Sequence, residues 1–248
     1  MRHSVRLLPA VLTVLVLPAV VLPTAGSAAP AAPVTVARYT FDSGAVAAGR
    51  VADRSGRGAP LVVRSADRGR VHFNGTTADK YAAFPATCAV KATVCPRALL
   101  EGTDDPDLDP GTRLFRWGAT VRLTKAQVTD SSNVMQKGVS ATDSQWKLQI
   151  GARQAKAHCV VAGQGAKPTV HIVRSTVGVA DNAWHDIMCQ RSGSRLTIYV
   201  DGRERGHVSI PASLSIHNDL PLRIGGPNFH TRSDMYHGLL DDVWARLG

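Results

Sequence analysis

Apolar residues recur at every second position in run after run of this chain, and no longer period competes with them. Between Leu114 and Leu123, the residues Phe115, Trp117, Ala119, Val121 and Leu123 alternate with Leu114, Arg116, Gly118, Thr120 and Arg122. Such a period places one set on a buried face and the other outside. Short strands of the same kind are predicted at 36–41, 61–63, 71–73, 81–84, 134–136, 146–150, 157–161, 170–173, 184–190, 196–200, 207–210, 222–224 and 239–244. Glycine, proline and asparagine punctuate the intervals. Asn74-Gly75 predicts a tight turn, Arg191-Ser-Gly-Ser-Arg195 a hairpin, and Asp201-Gly202 the end of a strand. There is no internal repeat, no coiled-coil seam, and at most a helical turn or two. A chain of this kind folds as an all-β antiparallel sandwich or jelly roll.

The N-terminal segment follows different rules. Arg2 and Arg6 precede an apolar stretch from Leu7 to Leu22, and Ala25-Gly-Ser-Ala-Ala29 supplies small residues for cleavage. This pattern predicts a secretory signal peptide over 1–28 and a short leader over 29–33. No later apolar run is long enough to span a bilayer, so a freely secreted, extracellular product without membrane insertion is expected. The remaining residues, about 215, suit one β domain over 34–248. Removing the signal deletes two arginines and no acid, so the formal charge of +10 falls by two. A well-solvated basic surface is the simplest reading of that excess, and attraction to a polyanion is the functional one. Nucleic acid is an unlikely polyanion, because the basic residues form no long run and lack interleaved aromatics.

Four cysteines in an exported chain predict disulfides. Cys88 and Cys95 bracket a short loop and suggest a local clip. Cys159 and Cys189, each in a predicted strand, form the economical second pair as a cross-strand bridge.

Several segments, taken in order, are similar to one family. They are Tyr39-Thr-Phe-Asp42 with Asp53-Arg-Ser-Gly56, then Phe73-Asn-Gly75, Phe115-Arg-Trp117 and Gln136-Lys-Gly138. Trp184-His185 through Asp201-Gly202 and Gly238 through Val243 complete the series. Together they resemble laminin-G-like domains of the concanavalin A-like lectin/glucanase superfamily, in their secreted bacterial form. The insertion carrying Cys88, Cys95 and an acidic loop to Gly111 departs from that pattern. The resemblance implies a concanavalin A-like β-sandwich. It also implies one structural calcium ion at the sandwich rim, with Asp241 or Asp242 and Asp42 as its ligands. It does not settle chemistry, since lectins, adhesion modules, glucanases and lyases share the architecture.

The residues narrow the chemistry further. Glucanases of this fold carry Glu-x-Asp-x-x-Glu on one strand. Here the only glutamates are Glu101 and Glu204, expected in separate loops, so that motif is absent. A lyase would need a Tyr or His base with Arg or Gln; His171, His185, His207 and Arg174 are available but form no motif. Gly-x-Ser-x-Gly does not occur, and Gly163-Gln-Gly-Ala-Lys167 reads as a turn rather than a phosphate loop. Asp104-Asp-Pro-Asp-Leu-Asp109 concentrates oxygen ligands, yet its glycine is one place late for an EF-hand and no Glu closes it, which leaves a solvated acidic loop. Sugar recognition usually combines an exposed ring with amides and carboxylates. Trp117, Trp184, Tyr199 and Trp244 lie on predicted strands and read as core. Trp146 and the loop over 226–236, with Asn228, Phe229, His230, Arg232, Asp234 and Tyr236, are the candidate ligand residues. The expected function is non-catalytic binding of an extracellular or cell-wall polysaccharide. A lyase or hydrolase with an atypical site, or a protein-adhesion module, are the alternatives. The sequence leaves the oligomeric state open.

Overall fold

The computed structural model describes residues 32–44, 49–89, 91–151, 153–165, 168–230 and 234–248. The predicted signal peptide and residues 29–31 of the leader lie outside this range. All described residues belong to one compact unit starting at Ala32. Two eight-stranded antiparallel sheets face each other, as expected for a concanavalin A-like jelly roll. The first, sheet A, runs β14 (Arg203–Ser209), β13 (Arg195–Val200), β12 (His185–Ser192), β7 (Phe115–Arg122), β16 (Leu239–Leu247), β5 (Lys80–Ala83) and β4 (His72–Gly75). A further strand, β1 (Val34–Tyr39), also pairs with β16. Sheet B runs β11 (Val170–Gly178), β10 (Lys156–Ala162), β9 (Gln145–Gly151), β8 (Ser131–Gly138), β15 (Arg223–Ile224), β6 (Arg97–Glu101), β3 (Leu61–Ala66) and β2 (Arg50–Val51).

Local chemistry explains the connections. Gly193-Ser194 joins β12 to β13, and Asp201-Gly202 joins β13 to β14 with φ of 52° and 71°. Two successive positive φ values match the twist of a hairpin, and an Asp-Gly pair tolerates them. The turn expected at Asn74-Gly75 lies elsewhere: both residues stay in β4, paired with Tyr81 and Lys80. The chain reverses over the four residues 76–79, where the Thr76 amide donates to the Asp79 carbonyl at 3.0 Å. Asp53 organises the loop after β2. Its carboxylate accepts from the Arg38 amide at 2.7 Å, the Ser55 hydroxyl at 2.6 Å and the Gly56 amide at 2.9 Å. Burial works to raise its pKa, yet these hydrogen bonds hold it below the usual carboxylate range.

Alternation delivers the core. Phe115 and Trp117 of sheet A meet Trp146 of sheet B with ring centroids 5.2 and 5.8 Å apart. All three rings are fully buried. Both disulfides pair as expected, Cys88 with Cys95 and Cys159 with Cys189. The second bridge joins β10 to β12, so it crosses between the two sheets rather than between neighbouring strands. Two disulfides fit an oxidising, extracellular compartment. Among the described residues no helix is long and apolar enough to cross a membrane.

The acidic loop is only partly solvated: Asp104 is exposed and Asp107 half-buried, while Asp109 is buried. The Nζ of Lys137, fully buried, donates to Asp109 at 2.7 Å and pairs with Asp104 at 3.0 Å. The Asn218 carbonyl accepts a further hydrogen bond from the same ammonium. Asp105 caps a short 3-10 turn by accepting from the Asp107 amide, and Asp107 itself pairs with Arg57 at 2.8 Å. One buried ammonium therefore holds the insertion onto the sandwich.

Two outcomes follow for urea unfolding. Lys137→Met leaves the buried Asp109 carboxylate without its ammonium, held only by the Asn218 amide and the His217 ring, and is expected to cost about 3–5 kcal/mol. The double variant with Asp109→Asn should recover much of that loss. Removing the inter-sheet bridge as Cys159→Ala with Cys189→Ala is expected to cost about 3–4 kcal/mol, and removing the shorter Cys88–Cys95 loop about 1 kcal/mol less.

Candidate functional site

Residues paired across antiparallel strands face the same side of the sheet, so register converts alternation into rows. In β9, the residues Trp146, Leu148 and Ile150 face the core, which turns Gln145, Lys147 and Gln149 outward. Asn133, Gln149, His158 and Arg174 form one row across β8, β9, β10 and β11. Gln136 and Lys147 begin the next row, and Gly138 and Gln145 the one after. These outward side chains are nonetheless covered: Asn133 is 1% exposed, Gln136 3%, Gln145 5% and Gln149 7%.

Over Gln136, Gln145 and Lys147 the cover comes from Pro227, Asn228, His230 and Asp234 of the loop over 226–236, together with the β8–β9 connection. The loop is anchored where the Tyr236 amide donates to the Gly225 carbonyl and the Asn133 amide to the Asp234 carbonyl. Between loop and sheet lies a concavity of about 250 Å³ lined by Gln136, Gln145, Lys147, Asn228, His230 and Asp234. A second, of about 610 Å³, opens at the far end of β9 around Gly151, Lys156, His158 and Arg174. The outer face of β9, with a concavity at either end, is here the trough; the two concavities share no lining residue, and the buried Gln149 lies between them.

The floor is polar and incompletely satisfied. Asn133 Nδ2 donates to Gln136 Oε1 at 2.7 Å, and Gln145 Nε2 donates to the Gly138 carbonyl at 2.9 Å. Asn133 Oδ1 and Gln149 Oε1 are buried without any hydrogen-bond partner. Buried acceptors of this kind are rare because each forfeits its hydration. Burial lowers the pKa of Lys147, with Asp234 opposing the shift. His158 is pushed down to about 4, by burial first and then by Arg174, Lys147 and Lys156. At neutral pH its ring is uncharged and a weak base.

The candidate ligand residues separate. Asn228, His230 and Asp234 line the smaller concavity, and Asn228 and His230 also border the cleft that Phe229 faces. Phe229 faces a different cleft, where the Arg97 guanidinium lies 5.7 Å from its ring and donates to its carbonyl at 3.0 Å. Trp146 and Tyr236 require correction. Both are buried at 0% exposure, with Trp146 Nε1 donating to the Leu108 carbonyl and the Tyr236 hydroxyl to the Leu239 carbonyl. Neither ring offers a face to a ligand. Arg232 lies outside the described residues. Sequence reasoning passed over Gln136, Gln145, Lys147, Gln149 and His158, although the polar half of the β9 alternation announced three of them.

Other expectations also shift. Trp184 precedes β12 and is 38% exposed, with Tyr81 packed edge-on at 5.6 Å, so it is not core. Trp244 faces outward beneath the Arg246 guanidinium, 4.4 Å from its ring. Glu101 and Glu204 stand on strands of opposite sheets rather than in loops, and each is held by arginine: Arg223 at 2.8 Å and Arg195 at 2.6 Å. His185 sits between Asp201 at 2.9 Å and Asp181 at 3.1 Å, and His207 contacts Glu204 at 2.9 Å.

At the other end of sheet A, the calcium candidates are drawn into separate contacts. Asp242 pairs with Arg38 at 2.7 Å, Asp42 accepts from the Lys80 amide at 3.2 Å, and Asp241 Oδ1 accepts from the Asp242 amide at 2.7 Å. Among the described residues no group of three or more His, Cys, Asp or Glu side chains is placed to hold a metal ion. The Asp241 carboxyl is pushed up to about 6, by burial and by the negative charges of Asp242, Asp42 and Asp79.

Comparison with known proteins agrees with this architecture. Domain 4 of AbnA, a GH43 extracellular arabinanase from Geobacillus stearothermophilus solved with arabinotriose, superposes with a TM-score of 0.65 and 12% identity. The match covers 87% of this chain and 93% of that one. The binding domain of Paraclostridial Mosquitocidal Protein 1 matches with a TM-score of 0.59 and 13% identity over 85% of this chain. A botulinum neurotoxin type C structure, described as showing cell entry dependent on two ganglioside molecules, matches with a TM-score of 0.58 and 11% identity over 85% of this chain. This chain spans about half of each toxin chain, 48% and 47%. At these identities the likeness is one of fold. No curated protein sequence matches the chain. A family model does, Laminin_G_3, over residues 117–245 and hence just over half of the 248 residues. The chain therefore belongs to the laminin-G-like family of the concanavalin A-like lectin/glucanase superfamily.

Proposed function

We propose that this protein is a secreted, non-catalytic module that binds an extracellular or cell-wall glycan in the trough on the outer face of β9. The observation that carries the reading is the polar outer face of β9: Gln136, Gln145 and Lys147 line a concavity rimmed by Asn228, His230 and Asp234, and the buried Asn133 and Gln149 in the adjoining row keep unpartnered acceptors. Amides offer donors and acceptors together, which suits sugar hydroxyls. A pre-formed concavity with a few convergent polar groups is the usual form of a small-ligand site. The arabinanase domain solved with arabinotriose and the toxin tied to gangliosides support glycan binding by this fold. Catalysis has less support. Both glutamates are held by arginines, and His158 is too weak a base at neutral pH to abstract a proton efficiently.

Thermal melting of the oxidised protein against neutral and anionic polysaccharides tests the reading, since a ligand that binds only the native state raises the midpoint. Lys147→Met should then weaken the glycan that binds by about tenfold, with melting of the free protein little changed. No shift with any glycan would move the protein to the adhesion class. Release of unsaturated products from a uronate polymer, followed by ultraviolet absorbance, would make it a lyase.

Calcium belongs to this proposal at Asp241. The folded carboxyl titrates near 6 against 3.8 for the free group, so folding favours its protonated form. The stability this gives is complete below about pH 4 and is lost as pH rises through about 6. Asp241→Asn is therefore expected to melt above wild type at pH 7.5, with the gap closing toward about pH 4. Calcium should raise the wild-type midpoint at pH 7.5 and leave Asp241→Asn unmoved. Equal melting of the wild type in calcium and in chelator removes the ion from the proposal.

A further inference from the structure

The two ends of the trough differ in charge, and the difference names a class of ligand. We propose that the end at Gly151 is a subsite for the acidic group of a charged glycan, a uronate carboxylate or a sulfate ester. The inference rests on the reading that the trough binds a glycan. Arg153, Lys156 and Arg174 line this concavity, and no carboxylate lines it with them. Several arginines elsewhere are matched by carboxylates: Arg38 with Asp242, Arg57 with Asp107, Arg195 with Glu204 and Arg223 with Glu101. Among the described residues none of the three lining cations has a carboxylate partner. Arg153 and Arg174 are exposed, so solvent screens their mutual repulsion, and an anion seated among the three cations would be attracted by all of them.

The backbone is arranged to converge them. Gln154 and Ala155 take left-handed conformations, φ 67° and 48°, between Arg153 and Lys156. Two successive non-glycine residues in that region are uncommon, and strain of this kind concentrates at ligand clamps. The turn is fixed where the Val179 amide donates to the Ala155 carbonyl at 2.9 Å. Arg174 reaches the same concavity from β11, directly across from His158.

The floor of the subsite supplies neutral hydrogen bonds. Gly151 makes room for the His158 ring, because a Cβ there would come within 2.3 Å of its Cε1. The ring is uncharged at neutral pH, and its Nδ1 lies 3.4 Å from Gln149 Nε2. Gln149, 7% exposed and with Oε1 buried and unpartnered, lies behind that ring rather than in the concavity's lining. The guanidinium of Arg174 offers a planar fork matched to a carboxylate or sulfate, and Lys156 a point charge. A volume of about 610 Å³ falls in the range of small-ligand sites.

Titration calorimetry with polygalacturonate, dextran sulfate and neutral arabinan at two salt concentrations tests the proposal. Four proteins are compared: wild type, Arg174→Gln with Lys156→Gln, Lys147→Met, and the control Arg203→Gln on the exposed end of β14. The expected result is salt-sensitive binding of one anionic polymer, weakened at least tenfold in the double variant and within twofold of wild type in the control. Polygalacturonate alone would identify the group as a carboxylate, and dextran sulfate alone as a sulfate ester. Neutral arabinan should bind wild type and the double variant alike, whatever its affinity. Equal affinity of the double variant for the anionic polymer overturns the subsite. Binding of arabinan only, lost in Lys147→Met, overturns it too but leaves the trough reading standing. No binding of any polymer overturns both.

Discussion

Trp117 and Trp146 approach from opposite sheets to a centroid distance of 5.8 Å, and the Cys159–Cys189 bridge crosses the same layer. Cys189 stands in register with Trp117, and Cys159 with Leu148, the next core residue along β9. This contact sets the facing of every strand around it. A slip of one residue in β9 would move Trp146, Leu148 and Ile150 outside and bring Gln145, Lys147 and Gln149 into the core. Burial of the large rings forbids that slip. The chemistry of the trough is thus fixed from behind, by residues that never meet a ligand.

Buried charge is handled in two ways. Inside the sandwich, Lys137 is neutralised by Asp109 and Asp104, while Arg191 is fully buried and donates to the carbonyls of Arg113, Ala212 and Leu214. Both fasten loops to strands through donors directed at protein oxygens, although Arg191 Nε is left buried without a partner. The cations at the Gly151 end of the trough have no such enclosure. The same residue types act as rivets where acceptors surround them and as an open electrostatic surface where none do.

Much of this was legible in the chain. Strict alternation in β7 and β9 specified sandwich strands and the inward set, and cysteine spacing suggested both bridges. The hairpin at Gly193-Ser194 was written in its residue types. What failed were features decided at a distance. Asn74-Gly75 carries a local turn preference, but pairing with Tyr81 and Lys80 keeps it in β4. Tyr236 closes a loop of polar residues, yet Phe84 packs against its ring at 5.7 Å and makes it core. Trp184 sits beside a strand but before its first pair, so it stays at the surface. The polar half of β9 could be read as outward. That a loop some eighty residues later would roof it could not, because a period reports which side a residue faces and not what lies above that side.

The order of the strands carries a last implication. β16 is the final strand of the domain in sequence, yet it occupies the middle of sheet A, with β7 along one flank and β1 and β5 sharing the other. A bulge between Asp241 and Trp244, with Asp242 at φ 38°, separates the stretch paired to β5 from the stretch paired to β1. Until those nine residues emerge, the first strand and the β4–β5 hairpin have no edge to join. The outer strands β1, β4 and β5 thus join sheet A only through its last strand, whereas β7, β12, β13 and β14 pair with one another without it.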